Sequence, residues 1–177
     1  MLEFLSDNVS QIGNYLEFQM TYPSHKIGLI AAAGSAALLA GAWIFQALGY
    51  APCPMCIWQR YPHAIAVLIG LVVLVGLRFR FVYLFGAATV LVTAAIGVFH
   101  AGVERKWWQG PTSCTGTGLD LPAEDLLSTD TPVNLVMCDQ VAWQFLTLSM
   151  ASWNAAFSFV IVGVWIFAFL KKDNSKP

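Results

Sequence analysis

Four cysteines are the residues in this chain best equipped for chemistry: Cys53, Cys56, Cys114 and Cys138. Their spacing is uneven. Cys53 and Cys56 form a tight C-x-x-C, whereas 23 residues lie between Cys114 and Cys138. C-x-x-C spacing suits thiol–disulfide exchange, because the resolving thiol waits beside the attacking one. It makes a poor staple, since so small a ring constrains little of the unfolded chain. The longer pair gains more from closure, so by itself it suits a structural disulfide as well as a redox one. Four cysteines match zinc by ligand count, but the second pair lacks the usual close spacing. Covalent haem attachment needs C-x-x-C-H, and residue 57 is Ile. No metal is expected.

The residues around the tight pair read Ala51-Pro52-Cys53-Pro54-Met55-Cys56-Ile57-Trp58-Gln59-Arg60. Pro54 suits the first turn of a helix, where its missing N–H costs nothing. Cys56 then falls in that turn, and the helix N-terminus is expected to favour its thiolate. Arg60 lies one turn deeper on the same face. An arginine inside an apolar span is expensive without an internal partner. It either snorkels to the interface or acts as a fixed cation beside the thiols, stabilising a thiolate or holding an anionic or carbonyl-bearing cofactor. His63 reads as an interior polar residue. His100 and Glu104, spaced i,i+4, form either an interfacial polar pair or part of a cofactor pocket with a proton-relay role.

The elements that must position these residues are membrane spans. The chain has 177 residues, 58% apolar and 11% charged, with a mean hydropathy of +0.65. Typical globular chains are about 45–50% apolar and about 25% charged. A net charge of −1 excludes a nucleic-acid binder that works through a basic surface. Four stretches reach the roughly 20 apolar residues that a span needs: about 27–48, 56–77, 81–100 and 147–170. The expected fold is therefore an all-α membrane protein, one four-transmembrane-helix bundle over residues 1–177. Residues 1–26 do not read as a cleavable signal peptide.

Charge sets the expected orientation. With both termini cytoplasmic, Lys26, Arg78, Arg80, Lys171, Lys172 and Lys176 lie inside, and Arg60, Arg105 and Lys106 outside. The outer loops are then about 49–55 and 101–146, and they carry all four cysteines. Disulfides persist in such oxidising compartments, so both pairs read as disulfides. Within the second loop, Leu119 to Leu127 and Val133 to Met137 suit a short interfacial helix, or equally an ordinary solvated loop. Trp58, Trp107 and Trp108 suit the aromatic belt. The small residues Ala31 to Ala36 and Gly41 suit close helix packing.

A dithiol formed at the membrane surface must pass on two electrons. The chain has no dinucleotide fingerprint, haem pattern or flavin-type motif, so by elimination a lipid-soluble quinone fits. The chain also resembles the DsbB family of membrane disulfide-generating oxidoreductases. The resemblance is carried by the four spans, the stretch Cys53 to Arg60, and the separated cysteines of the second loop. It extends to His100-Ala101-Gly102-Val103-Glu104, Trp107-Trp108 and Gly110-Pro111-x-x-Cys114.

The resemblance implies a bacterial inner-membrane protein with its active cysteines on the periplasmic face. Its partner would be a soluble thioredoxin-fold thiol oxidase of the DsbA type, attacking the Cys114–Cys138 disulfide at Cys114. Cys138 would then attack Cys53, and Cys56, freed, would face ubiquinone or menaquinone beside Arg60. His100 and Glu104 are further candidates for the quinone pocket. Two other readings remain at the level of sequence. One is a membrane scaffold or binding protein whose disulfides are purely structural. The other is a quinone-linked system of the vitamin K epoxide reductase type with reversed flow, although the span order and the second-loop cysteines look more like DsbB.

Overall fold

The computed structural model describes residues 23–112, 114–115 and 136–171. Four helices dominate it: α1 (Ser24–Ala47), α2 (Pro54–Leu74), α3 (Arg80–Glu104) and α4 (Met150–Leu170). All four are long and apolar enough to cross a membrane. At 21 to 25 residues they measure roughly 31–38 Å. The chain is thus a mostly helical, multi-pass membrane protein. Most of the expected interfacial helix of the second loop, residues 119–127 and 133–135, lies outside the described residues.

Local sequence explains the helix ends. The first three helices close with the same hydrogen-bond pair. In α1, Gly49 N–H bonds Gln46 C=O and Tyr50 N–H bonds Phe45 C=O, both at 3.1 Å. In α2, Gly76 N–H bonds Val73 C=O and Leu77 N–H bonds Val72 C=O, both at 3.2 Å. The closing residue must take a left-handed conformation, and Gly49 (φ 99°) and Gly76 (φ 106°) do so without steric cost. Lys106 (φ 58°) fills the equivalent position after α3. At the other ends, the Cys53 and Ser149 side chains accept from the backbone N–H groups of Cys56 and Ser152, capping α2 and α4.

The helices form a four-cornered bundle. α1 and α3 each pack on α2 and α4, and α1 and α3 barely meet across the diagonal. Small residues set the spacing. A Cβ on Gly70 would collide with Ala32, and one on Gly86 would sit 2.7 Å from the buried Trp165 ring. Ser24 hydroxyl bonds Tyr83 hydroxyl at 3.3 Å, and Arg80 Nε donates to Phe169 C=O at 3.1 Å. The start of α1, the start of α3 and the end of α4 therefore share one end of the bundle. The cysteines lie at the opposite end.

A short antiparallel hairpin leads into α4. Its strands, β1 (Gln144–Phe145) and β2 (Leu148–Ser149), are joined through Leu146 (φ 50°) and Thr147 (φ 64°). Two successive left-handed residues make the tight turn that matches strand twist. The hairpin lays Trp143 and Phe145 over the cysteine end. Trp143 stands edge-on to Phe45 of α1 at 5.0 Å, and Phe145 lies 6.4 Å from Trp153 of α4.

Candidate functional site

Both cysteine pairs belong to one buried cluster. Cys53, Met55, Val103, Cys114 and Cys138 pack together, with Cys56 and Val136 against them. Cys114 and Cys138 form a disulfide with Cα atoms 5.3 Å apart, and both are buried. Cys138 N–H also donates to Cys114 C=O at 2.8 Å. Cys53 and Cys56, expected to form a second disulfide, are instead free thiols here, with their sulfurs 2.8 Å apart. The loop pair is thus seated directly on the helix pair.

The start of α2 corrects one expectation. The helix begins at Pro54, so Cys53 is the N-cap and Cys56 the third residue of the first turn. The Cys53 sulfur, not that of Cys56, accepts the exposed backbone N–H, at 3.2 Å from Cys56 N. The cap lies just before the helix, where the unpaired N–H groups point, and a residue already inside the turn cannot reach them. His100 Nε2 lies 3.5 Å from the same sulfur. These donors converge on Cys53 and hold its thiol down at about 5. The hydrogen bond from the Cys56 thiol contributes most, His100 and the Cys56 N–H add to it, and burial opposes them. The thiolate form is therefore present above about pH 5 and lost as the pH falls through it. In the reduced protein, alkylation of Cys53 by iodoacetamide should be nearly flat from pH 9 to 7 and fall only towards pH 5. A rate still climbing tenfold per unit above pH 7 would contradict this.

His100 and Glu104 are brought to the thiols. They lie one turn apart on α3, with Nε2 and Oε1 3.8 Å apart, and both side chains are buried. An exposed interfacial pair is therefore not what the fold makes of them. Glu104 also meets Ser149 at the start of α4, and His100 meets the Cys138 backbone. Trp107 and Trp108 are exposed, as belt residues are. Trp108 donates to Phe99 C=O at 2.8 Å and packs over Gly102.

Arg60 lies on the same side of α2 but turns towards α1. Its Nη1 donates to Gln46 Oε1 at 2.7 Å and Nη2 to Ala42 C=O at 3.4 Å. Its Nε is buried with no hydrogen-bond partner among the described residues. Cys56, Arg60, His100 and Glu104 all border a cavity of about 420 Å³. Aromatic rings supply much of its wall, with Trp153 and Phe157 stacked 5.5 Å apart and Phe45, Trp143 and Phe145 above them. A flat apolar ligand fits such a wall, and the spare Arg60 N–H offers it one polar anchor.

Three donor atoms of Cys53, Cys56 and His100 lie within 4.8 Å of one another, close enough for a metal ion. The ring nitrogen facing the sulfurs would have to be bare to ligate. Gln59 Nε2 lies 3.0 Å from the other nitrogen, Nδ1, and donates to it. That leaves the proton on Nε2, which suits a hydrogen bond to sulfur better than a metal bond.

Sequence reasoning passed over Gln46, Gln59, Thr93 and Asn154, which hold these groups in place. The available signal was polarity. An amide inside an apolar span normally bonds across helices, and Gln59 and Asn154 are such residues.

Taken together, the fold and site define a class: a four-helix membrane protein that gathers two cysteine pairs beside an aromatic-walled cavity. The family model described as "Disulfide bond formation protein DsbB" matches residues 24–168, and the chain belongs to that family. It is accordingly a disulfide-forming membrane oxidoreductase. A "Disulfide bond formation protein B" from Azoarcus sp. (strain BH72) is 35% identical over 67% of this chain and 76% of its own length. A protein of the same description from Shewanella sp. (strain MR-4) is 32% identical over 84% and 90%. One from Verminephrobacter eiseniae (strain EF01-2) is 31% identical over 85% and 87%. No solved structure gives a significant match.

Proposed function

We propose that the chain is a quinone-dependent thiol oxidase of the bacterial inner membrane, with its cysteines facing the periplasm. It reoxidises a periplasmic thioredoxin-fold thiol oxidase of the DsbA type. The observation that carries this reading is the single cluster of both cysteine pairs, which meets an apolar cavity through Cys53 and Cys56. Bound there, a quinone supplies a two-electron, two-proton acceptor. Cys56, Arg60, His100 and Glu104 are the residues that would hold or face it.

Each residue has a role that its position supports. The loop disulfide is attacked at Cys114 by the thiolate of a soluble partner, whose docking must first uncover that buried sulfur, and Cys138 leaves as the second thiolate. Cys138 then attacks Cys53, whose bond to Cys56 breaks and releases Cys56 beside the cavity. The partner's second thiolate displaces Cys114 and leaves oxidised. Cys114 attacks Cys138 and re-forms the loop disulfide, and Cys53 is released as a thiolate. Once Cys56 has passed on the electron pair, Cys53 closes on it, and the converging N–H groups keep Cys53 ionised for that attack. Arg60 supplies fixed positive charge where negative charge develops. Met55, Val103 and Val136 keep water from the sulfurs.

The test is anaerobic quinone reduction by purified protein in detergent, supplied with a reduced DsbA-type partner. One quinone should be consumed per partner dithiol oxidised. Arg60→Ala should raise the apparent KM for quinone about tenfold, equivalent to one lost hydrogen bond to a charged group. If folded, quinone-supplied protein moves no electrons from several such partners, the oxidase reading fails and structural disulfides take its place.

A further inference from the structure

A buried chain of hydrogen bonds runs from the Cys53 sulfur into the membrane core, and the backbone fixes its direction. Two carbonyl groups decide how the amides point. Met55 C=O can only accept, and the Gln59 amide atom 3.3 Å from it must therefore be nitrogen. That same nitrogen lies 3.0 Å from His100 Nδ1. The other end of the Gln59 amide, Oε1, accepts from Asn154 Nδ2 at 2.7 Å. Thr93 spends its hydroxyl proton on Gln59 C=O at 2.9 Å, so its oxygen is free to accept from Asn154 Nδ2 at 3.4 Å. Asn154 Oδ1 then faces His63 Nε2 at 3.2 Å and accepts from it. Every bond in the chain is consistent with one assignment of amides and ring tautomers. Reversing Gln59 would set oxygen against oxygen at Met55, and reversing Asn154 would set oxygen against oxygen at Gln59 Oε1.

We infer that Gln59 and Asn154 are positioning residues that lock His100 as the neutral Nε2–H tautomer, so that the ring presents a donor and not a lone pair to the Cys53 sulfur. A neutral ring follows from the same geometry. An imidazolium carries a proton on both nitrogens, and its Nδ1–H would meet the Gln59 N–H head-on. His100 therefore supports the Cys53 thiolate by hydrogen bonding and does not take its proton. His63 is locked likewise, with Nε2 protonated and its buried Nδ1 without a partner. The titratable groups that meet Cys53 are Cys56 from α2 and His100 and Glu104 from α3. Arg60 borders the same cavity. Among the described residues the loop brings the bonded Cys114 and Cys138, which do not titrate.

This assignment uses the proposed function only in treating Cys53 as a redox thiol. It makes no claim about the electron acceptor, so its failure and a failure to reduce quinone are separate results.

The experiment is long-range ¹H–¹⁵N correlation on reduced, ¹⁵N-histidine-labelled full chain in micelles between pH 6 and 8. Single His→Gln variants assign the three rings. The wild type should show His100 with a bare Nδ1 and a protonated Nε2. Gln59→Glu is isosteric and, ionised at pH 8, places only acceptors at that position, so His100 Nδ1 should become protonated there. Gln59→Met removes the donor while keeping the length. The midpoint of Cys53 alkylation should then rise by about one unit, slowing the reaction about fivefold at pH 5 and less than twofold at pH 6. A wild-type His100 that is protonated at Nδ1, or is an imidazolium at pH 7, overturns the inference. So does a bare Nδ1 that survives Gln59→Glu. An unchanged alkylation profile in folded Gln59→Met overturns the link to Cys53. A purely structural role for Gln59 would change stability without moving the ring's protonation site.

Discussion

Turnover with a DsbA-type partner is expected to fall by on the order of 10³-fold or more in a Cys138→Ala variant, as when a covalent participant is removed. Without Cys138 the loop holds a lone thiol, and the partner's thiolate has no bond to attack. Cys56→Ser should lose as much by a different route. Its loop disulfide survives, so it should oxidise one equivalent of partner and then stop, with no quinone consumed. A single-thiol partner separates the two sulfurs of the loop. It should form a stable conjugate with the wild-type chain, and peptide mapping should place the bond on Cys114. Conjugation at Cys138 would reverse the proposed order. If Cys138→Ala and Cys56→Ser are both merely less stable, with normal turnover per folded molecule, the disulfides are structural. The geometry opposes that outcome, because the loop disulfide is packed onto the thiol pair and not placed across a distant loop.

The spans were legible because each must satisfy its own backbone in hydrocarbon, which forces long apolar runs. The tight cysteine pair was legible for a similar reason: Pro54 marks the helix start, and two residues fix the distance between the sulfurs. Which sulfur receives the helix's N–H groups was misassigned: with the helix opening at Pro54, the cap position falls on Cys53, and Cys56, already inside the turn, cannot reach those groups. Arg60 was read as a cation near the thiols. That it leans on Gln46 and Ala42 of α1 could not be foreseen, because the approach of α1 to α2 is a tertiary fact. The same holds for His100, whose neighbours Cys53 and Gln59 come from the start of α2 and Cys138 from the loop before α4. Spacing along one helix pairs His100 with Glu104 and says nothing of the other three. Gln59 and Asn154 are 95 residues apart in sequence. Each could be suspected from its polarity alone, but their contact required the bundle.

The bundle's spacing is itself open to a sharp test at Gly70. A methyl group there would collide with the Ala32 methyl, while the next atom, Ala32 Cα, would sit at an ordinary 3.7 Å. One side chain on the facing helix therefore sets the limit. Gly70→Ala should destabilise the protein by about 1–3 kcal/mol, the range for overpacking a well-filled interior. Ala32→Gly alone should cost about 1 kcal/mol, mostly from helix propensity. The double variant exchanges which helix carries the methyl group, so it should recover most of the Gly70→Ala loss, with a coupling of roughly 1–3 kcal/mol. Unfolding in mixed micelles with rising denaturing detergent would measure all four corners of the cycle. A double variant no more stable than Gly70→Ala would show that Ala32 is not what α2 presses against. The contact also bears on chemistry. α1 holds Arg60 through Ala42 and Gln46, about 15 and about 21 Å further along the same rigid helix. Pushing α1 away at Ala32 should draw those acceptors off the guanidinium, so Gly70→Ala should also raise the KM for quinone, and Ala32→Gly should restore it. Stability and KM recovering together in the double variant would identify the small-residue seam between α1 and α2 as the element that fixes the position of Arg60.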